Sequence, residues 1–325
     1  MNVLWLTNMW PDRERPWYGS FVYSQARSLE RIGVDLDVLY VPGYRSSFEY
    51  IRGALEVIRR RKRRRHDLVH AHYGHSGALA RLQTKTPTLL SYCGDDLLGA
   101  PKPDGVGLTR RSRVEARAFA QLSRVLSATI TKSEEMEFRL PLSSRQRNSV
   151  VPNGVDLSQF EPIAKQVARG RLGWSNARKN LLFVGNPEFP RKNVRLALAV
   201  RDELLRRGMK VELRVAWQVE PNAMTVWMAA SDVLLFPSLF EGSPNTVKEA
   251  MAMELPIVSA RVGDVPERFR DVEGAFISER DPTIMADAVE SALGYDRAPM
   301  ARAAISELSI DKVANRIVSL YRSLI

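Results

Sequence analysis

The chain has 325 residues, of which 45% are hydrophobic and 26% charged, with one cysteine and a formal net charge of +11. At about 150 residues per domain that length accommodates two domains, and the balance excludes wholesale disorder, collagen and coiled coil. The single Cys93 excludes an internal disulfide framework and suits a reducing compartment, and no window approaches the roughly 18 consecutive apolar residues that cross a bilayer.

Met1 to Trp10 carry no basic region ahead of their short apolar run, so no signal peptide is expected. The expected location is the cytoplasm or the inner face of the cell membrane. Residues 3–6 read as a buried strand. Residues 18–32 then place Tyr18, Phe21, Val22, Leu29 and Ile32 at helical spacing. Strands are predicted at 36–41, 68–72, 88–91 and 125–128, with helices at 48–60, 76–82, 109–121 and 133–139. Pro152-Asn153-Gly154 is a strong turn signal, and the rhythm restarts after it. Strands at 181–184, 211–215, 233–236 and 257–260 alternate with helices at 194–207, 222–230, 245–253 and 283–293. A last helix at 310–324 carries Ile310, Val313, Ile317, Leu320, Tyr321 and Leu324 on one face and needs a partner surface. This alternation predicts an α/β chain of two doubly wound, Rossmann-like domains with parallel sheets and a hinge near 152–156. In such sheets ligands bind beyond the carboxyl ends of the strands.

The charge is lopsided. Residues 1–150 hold 25 Lys and Arg against 15 Asp and Glu, and the remaining 175 hold 23 against 22. The densest point is the run Arg59, Arg60, Arg61, Lys62, Arg63, Arg64 and Arg65. A basic helix end suits the helix dipole, but seven in a row exceeds what capping requires. An anionic membrane surface is the expected partner of this run. Nucleic acid is not expected, because no binding motif or interleaved aromatic patch accompanies it.

The most informative segment is 236–250, which follows a strand and opens a helix. Gly242, Ser243, Pro244 and Asn245 are turn and helix-start residues. Backbone N–H groups at Ser243, Asn245 and Thr246 then point out of a helix N-terminus, a ready anion site; Pro244 cannot donate. Glu249 lies one turn beyond Asn245 on the same face, and Glu241 lies in the loop. The plainer reading is a capped helix with two surface carboxylates.

Glu241 and Glu249, separated by seven residues in the context E-G-S-P-N-T-V-K-E-A-M-A, resemble the E-x7-E motif of retaining nucleotide-sugar glycosyltransferases of family four, which have the GT-B fold. The resemblance covers nearly the whole chain. It includes Val151-Pro152-Asn153-Gly154-Val155-Asp156, Phe183-Val184-Gly185 followed by Arg191-Lys192-Asn193, and Leu255-Pro256-Ile257-Val258 with Val262-Gly263-Asp264-Val265-Pro266-Glu267.

The resemblance implies two Rossmann-like domains facing a cleft. Residues 1–152 would bind the acceptor, with the 308–325 helix crossing back onto them, and residues 153–307 would bind the nucleotide sugar. It implies that Glu249 binds the ribose, that Glu241 lies against the transferred sugar, and that the amides of Gly242, Ser243, Asn245 and Thr246 meet the diphosphate. Lys192 matches the family's phosphate lysine. Its companion arginine usually directly follows the Gly of the preceding strand, where this chain has Asn186 after Gly185; Arg191 is the expected replacement. Gln218 and Val219 resemble the segment that touches the base by backbone, and Trp217 beside them is read as core. In the first domain, Gly19 and Ser20 resemble a glycine loop facing diphosphate and acceptor. His72 and His75 correspond to a strand end lining the acceptor side. Asp95 and Asp96 belong to a stretch resembling H-G-x-D, in which Cys93 replaces the usual His. Both carboxylates are expected to orient the acceptor hydroxyl, with Cys93 a small apolar filler. Ser133 and Glu134 resemble a further loop of that domain.

All four histidines, His66, His70, His72 and His75, fall within ten positions. His70 and His72 share a strand face, and with His75 they offer three nitrogens for a metal. No acidic second shell accompanies them, so no metal site is predicted, and His66 is read as exposed. The expected activity is retaining sugar transfer from a nucleotide-diphosphate sugar to a glycan, lipid-linked or other anionic acceptor in cell-surface polysaccharide or glycoconjugate biosynthesis, with no cofactor and no required metal. The rival readings are a nucleotide-sugar epimerase on the same fold and a non-catalytic polyanion- or membrane-binding protein.

Overall fold

Short apolar runs between helix starts become parallel strands buried on both faces, as β1 shows with Val3, Leu4, Trp5 and Leu6 fully covered. The computed structural model describes residues 1–83 and 85–325. In the first part of the chain the elements are β1 (Asn2–Thr7), α1 (Ser20–Arg31), β2 (Asp35–Tyr40), α2 (Phe48–Arg63), β3 (Leu68–His72), α3 (Gly74–Ala80), β4 (Thr88–Ser91), α4 (Asp95–Leu98), α5 (Arg110–Leu122), β5 (Ala128–Thr131), α6 (Glu134–Phe138), α7 (Leu142–Arg145) and β6 (Asn148–Val150). The six strands are parallel, in the order β2-β1-β3-β4-β5-β6.

The second part contains α8 (Lys165–Leu172), β7 (Lys179–Val184), α9 (Val194–Arg206), β8 (Val211–Ala216), α10 (Pro221–Ala230), β9 (Val233–Phe236), α11 (Asn245–Ala252), β10 (Ile257–Ala260), α12 (Val265–Arg268), β11 (Ala275–Ser278), α13 (Pro282–Ala292) and α14 (Ala301–Ala304). Its five strands are parallel, in the order β11-β10-β9-β7-β8. Counted within each sheet, the first winds as 2-1-3-4-5-6 and the second as 2-1-3-4-5. The order reverses between β1 and β3 in one and between β7 and β9 in the other, the places where doubly wound sheets hold ligands.

The chain divides into two compact units. One comprises Met1–Ala100, Leu108–Gly154 and Ile310–Ile325; the other comprises Pro101–Gly107 and Val155–Ser309. The last helix, α15 (Ile310–Leu324), therefore belongs with the first unit. It buries Val313, Ala314, Ile317, Val318 and Tyr321 in a core shared with Val3, Trp5, Val22 and Leu29, which is the partner surface its apolar face demands. Its deepest contact is polar: Tyr321 Oη lies 2.5 Å from His70 Nδ1, and His70 Nε2 lies 2.8 Å from Ser91 Oγ. Tyr321→Phe leaves a buried imidazole nitrogen unpartnered, so it is expected to cost about 1–3 kcal/mol in urea denaturation, although the replacement is nearly isosteric.

One expectation needs correction. The strand predicted at 125–128 lies at Ala128–Thr131, because residues 123–125 finish the preceding helix as a tight turn, with Ser123 Oγ donating to Ala120 O at 2.6 Å. Val125, whose apolar character suggested a strand, is 53% exposed. Strands β6 and β11, helix α8 and the four-residue helices α4, α7, α12 and α14 were not predicted. Both strands lie at sheet edges and are mostly half-buried, so neither sequence shows a fully apolar run.

Candidate functional site

In the second unit the site grows from the loops after β7 and β9. Gly185 closes β7 at φ 137, and a Cβ there would meet the aliphatic stem of Lys192 at 3.1–3.2 Å. The missing side chain lets Lys192 lie across the strand end. Asn186, where the resemblance expects an arginine, spends its side chain locally: its Oδ1 accepts from Glu188 N at 2.9 Å. The single turn Pro190–Lys192 follows and presents Arg191 and Lys192 together. Its position is fixed from the β9 side, since Leu239 N donates to Arg191 O at 2.8 Å and Asn193 Nδ2 to Pro237 O at 3.2 Å.

Both cations converge on Glu241. Lys192 Nζ donates to Glu241 Oε1 at 2.8 Å, and Arg191 donates to Oε2. Burial pushes the Glu241 carboxyl upward, but Arg191 and Lys192 outweigh it and hold it below the ordinary carboxylate range. Glu241 is thus an ionised, buried carboxylate between two cations, not the surface residue of the plainer reading.

Beyond Glu241 the chain turns through Gly242 and Ser243 into α11. Among the described residues no side chain caps the helix start, which leaves its first N–H groups to water or an anion. Asn245 Oδ1 is buried there without a hydrogen-bond partner among the described residues. Ser243 is committed inward: its Oγ donates to Asp264 Oδ2 at 2.9 Å and receives Lys248 Nζ at 2.7 Å, while Arg268 Nε donates to Asp264 at 3.2 Å. Lys248 is 1% exposed, so this network is a buried brace beneath the helix start. Glu249 is half-buried one turn along, and burial pushes its carboxyl up to about 7 against the pull of Lys248 and Lys192.

Three parts of this arrangement were not read from sequence. Lys248 and Asp264 stand in the quoted motifs, but no role follows for either from sequence. Arg280, just after β11, donates from Nε to Ser238 O at 3.1 Å and from its terminal nitrogen to Leu239 O at 2.6 Å, bracing the loop that carries Glu241. Nothing local in the sequence announces such a contact. Of the remaining residues on this side, Val219 packs half-buried on the core, Gln218 adopts φ 58, and Trp217, read as core, is 39% exposed.

In the first unit, Gly19 starts α1 at φ 70, with a Cβ position 2.5 Å from Met9 C, so the loop after β1 folds directly onto it. Ser20 is the first residue of α1 and half-buried. His72 lies inside the unit: Nε2 is 3.1 Å from Gln25 Oε1, and the ring packs on Trp5 and His70. Burial holds both His70 and His72 well below the ordinary imidazole range. His75 is half-buried and stacks on Tyr50 and Tyr73. His66 is buried, not exposed, and its Nε2 lies 2.9 Å from Asp37 Oδ2. No group of metal-ligating side chains is found among the described residues.

Asp95 and Asp96 part company. Asp96 is 1% exposed and accepts from the backbone N–H of Gly74, Cys93 and Gly94 at 2.9–3.2 Å. It pins the turn after β3, where Tyr73 is held at φ 75, to the turn after β4. Burial raises its carboxyl to about 7. Asp95 is the half-buried member of the pair. Beside them Lys132, at the end of β5, is 2% exposed, and burial lowers its ammonium to about 8. Burial raises the Cys93 thiol well above its ordinary range, consistent with a filler and not a nucleophile. Ser133 caps α6 through Met136 N at 3.4 Å, and Glu134 is exposed in its first turn.

The sequence matches the family described as Glycosyltransferase Family 4 over residues 3–159 and that described as Glycosyl transferases group 1 over residues 177–294. TuaC of Bacillus subtilis, a glycosyltransferase named for teichuronic acid biosynthesis, is 22% identical over 89% of this chain and 88% of its own length. Sucrose-phosphate synthase from Thermosynechococcus elongatus superposes with a TM-score of 0.78 at 16% identity, covering 99% of this chain and 98% of that one. Anabaena Alr3699/HepE in complex with UDP superposes at 0.71 and 15% identity over the full length of both chains. These likenesses fix the fold as GT-B.

Proposed function

The chain belongs to the family-4-like glycosyltransferases, and from that premise we propose that it moves a sugar, with retention of configuration, from a nucleoside-diphosphate sugar to an acidic glycan or lipid-linked acceptor. The observation that carries this reading is the convergence of Arg191 and Lys192 on Glu241 in the loops that lead to the uncapped start of α11. That is the place where a diphosphate leaving group needs positive charge. UDP is the favoured nucleotide, on the strength of the Anabaena complex, and an acidic polymer is the favoured product class, on the strength of the name of the Bacillus relative and the basic excess of residues 1–150.

In this mechanism the acceptor oxygen attacks the anomeric carbon on the face from which the diphosphate departs. The bond from that carbon to the diphosphate oxygen breaks, and its electron pair leaves with the phosphate. A phosphate oxygen takes the acceptor's proton, so no side-chain base is needed. Lys192, Arg191 and the α11 N–H groups stabilise the charge on the leaving group. Glu241 and Glu249 hold the sugar and the ribose in place. With these cations supplied by the chain, turnover is proposed to require no divalent metal.

A thermal-shift panel of UDP, GDP, ADP and TDP, with and without magnesium, tests the site. UDP is expected to raise the midpoint by mass action and to lose that effect in Glu249→Ala. No shift from any diphosphate overturns the reading, and turnover of a UDP-sugar without acceptor replaces it with epimerase chemistry. The raised Glu249 carboxyl adds a pH signature. The group is protonated below about 7, and only the ionised form accepts two ribose hydroxyl hydrogen bonds. UDP affinity should therefore rise as pH increases from about 5 to 8, by at most about tenfold per unit. The same raised value means that folded-state stability falls as pH rises from the ordinary glutamate value through about 7. Glu249→Gln is expected to flatten both profiles, read by calorimetric titration and by melting at each pH.

A further inference from the structure

The basic run covers the last five residues of α2 and the two beyond it, Arg64 and Arg65, and the structure sorts its members. Arg60 pairs with Asp37 and Glu56, Arg64 with Asp35, and Arg61 donates to Leu82 O at 3.1 Å. These three fasten the helix to its own domain. Lys62, Arg63 and Arg65 are exposed and make no ion pair among the described residues. Arg52 and Arg59 are also exposed, each near one glutamate of the same helix, Glu49 and Glu56.

The same helix carries a feature that charge alone did not reveal. Phe48, Ile51, Leu55 and Ile58 are 72%, 59%, 52% and 38% exposed. At about 100° per residue these four fall within an arc of about 80°, and Arg52, Arg59 and Arg63 occupy the adjoining arc. Lys62 continues the apolar line at the C-terminal end. The opposite face is fixed to the domain: a Cβ on Gly53 would lie 2.8 Å from Val41 Cγ2, and Val57 is fully buried. The stripe therefore points outward. Scattered single apolar residues are ordinary on a surface, but a continuous row along one helix marks an interaction face.

We propose that α2 lies in the headgroup region of an anionic lipid bilayer, with Phe48, Ile51, Leu55 and Ile58 in the acyl boundary and Arg59, Lys62, Arg63 and Arg65 on lipid phosphates. An apolar row of about three turns flanked by cations has the composition of an interfacial helix. A polyanion such as nucleic acid uses the cations but gives the apolar row no partner. A second copy would cover the apolar row but bring together two cation rows on chains that each carry +11. The bilayer alone satisfies both halves of the helix surface. This inference is independent of the sugar-transfer reading, and no helix of the described residues is long and apolar enough to cross the membrane.

The test is co-sedimentation of the full chain with phosphatidylcholine vesicles containing about one-third phosphatidylglycerol, at about 0.05 M and about 0.5 M salt. Two variants are compared with the wild type: Phe48→Ser with Leu55→Ser, and Lys62→Gln with Arg63→Gln and Arg65→Gln. All five side chains are exposed, so melting midpoints should stay put. The apolar variant is expected to bind more than about tenfold more weakly at both salt levels. The cation variant should bind on the order of a hundredfold more weakly in low salt and differ little in high salt. Wild type left in the supernatant overturns the proposal. So does an apolar variant that binds like wild type, which leaves simple polyanion attraction. So does a wild-type dimer in light scattering that the apolar variant turns into a monomer without any change in vesicle binding, which assigns the stripe to a second copy.

Discussion

Glu241→Gln is expected to bind UDP about fivefold more tightly than the wild type and to turn over at least about a hundredfold more slowly. The opposed signs come from one geometry. In the resting protein Arg191 and Lys192 both contact the Glu241 carboxylate, so a diphosphate meets two positive charges already offset by one negative. The amide keeps the shape and removes the offset. At an effective dielectric near 20, one unit charge some 5 Å away is worth up to about 3 kcal/mol. Solvent screening and the carboxylate's own displacement reduce that to about 1 kcal/mol, the stated fivefold. Turnover falls because the carboxylate is proposed to position the sugar over the leaving group, and losing a positioning contact in the transition state typically costs two or three powers of ten. The apo variant should also melt lower, since two largely buried cations lose their partner, and UDP should restore more of the midpoint than it adds to wild type. Weaker UDP binding together with unchanged kcat would remove Glu241 from the site.

The alternation of apolar runs and helical spacing was enough to read both sheets, because β1, β3, β4, β7, β9 and β10 are mostly or wholly buried and so mostly apolar. The edge strands β2 and β8 were still read because each runs to six residues, whereas the half-buried edge strands β6 and β11 have only three and four. The Glu241 and Glu249 positions were legible because they lie in a contiguous motif next to a helix start. What the sequence hid is what long-range contacts decide. Asp96 looked like a twin of Asp95, yet three backbone N–H groups draw it inside and only Asp95 stays half-buried. His66, His70 and His72 looked like surface or ligand candidates, yet Asp37, Tyr321, Ser91 and Gln25 claim them.

The basic run shows the same limit from the other side. Composition identified it as one unit of positive charge. The fold splits it into residues that tie α2 and its C-terminal end to β2 through Asp35 and Asp37 and residues that face outward beside an apolar row. Phe48, Ile51, Leu55 and Ile58 are indistinguishable in sequence from a core-facing stripe. Only Gly53 and Val57, packed against the domain, reveal which side is inside.

Gly263→Ala is the substitution expected to do the most damage for the fewest atoms. A Cβ at Gly263 would lie 2.2 Å from Gly242 O and 2.8 Å from Glu241 O, contacts with backbone that no rotamer change relieves. Its φ of 50 adds a conformational cost of about 1 kcal/mol for any other residue. The loop must move, and it takes Asp264 with it. Asp264 then leaves Ser243 Oγ, and Lys248, 1% exposed, loses the brace that holds the start of α11. Overpacking and the unsatisfied buried polar groups together should lower stability by about 3 kcal/mol or more, with UDP binding lost. Gly208→Ala separates the causes. Gly208 has a comparable positive φ of 81 but, among the described residues, nothing within 4 Å of its Cβ position. It should cost only the backbone term of about 1 kcal/mol and leave UDP binding intact. Equal losses in the two variants would mean that the approach of Gly263 to the Glu241 loop does not shape the site.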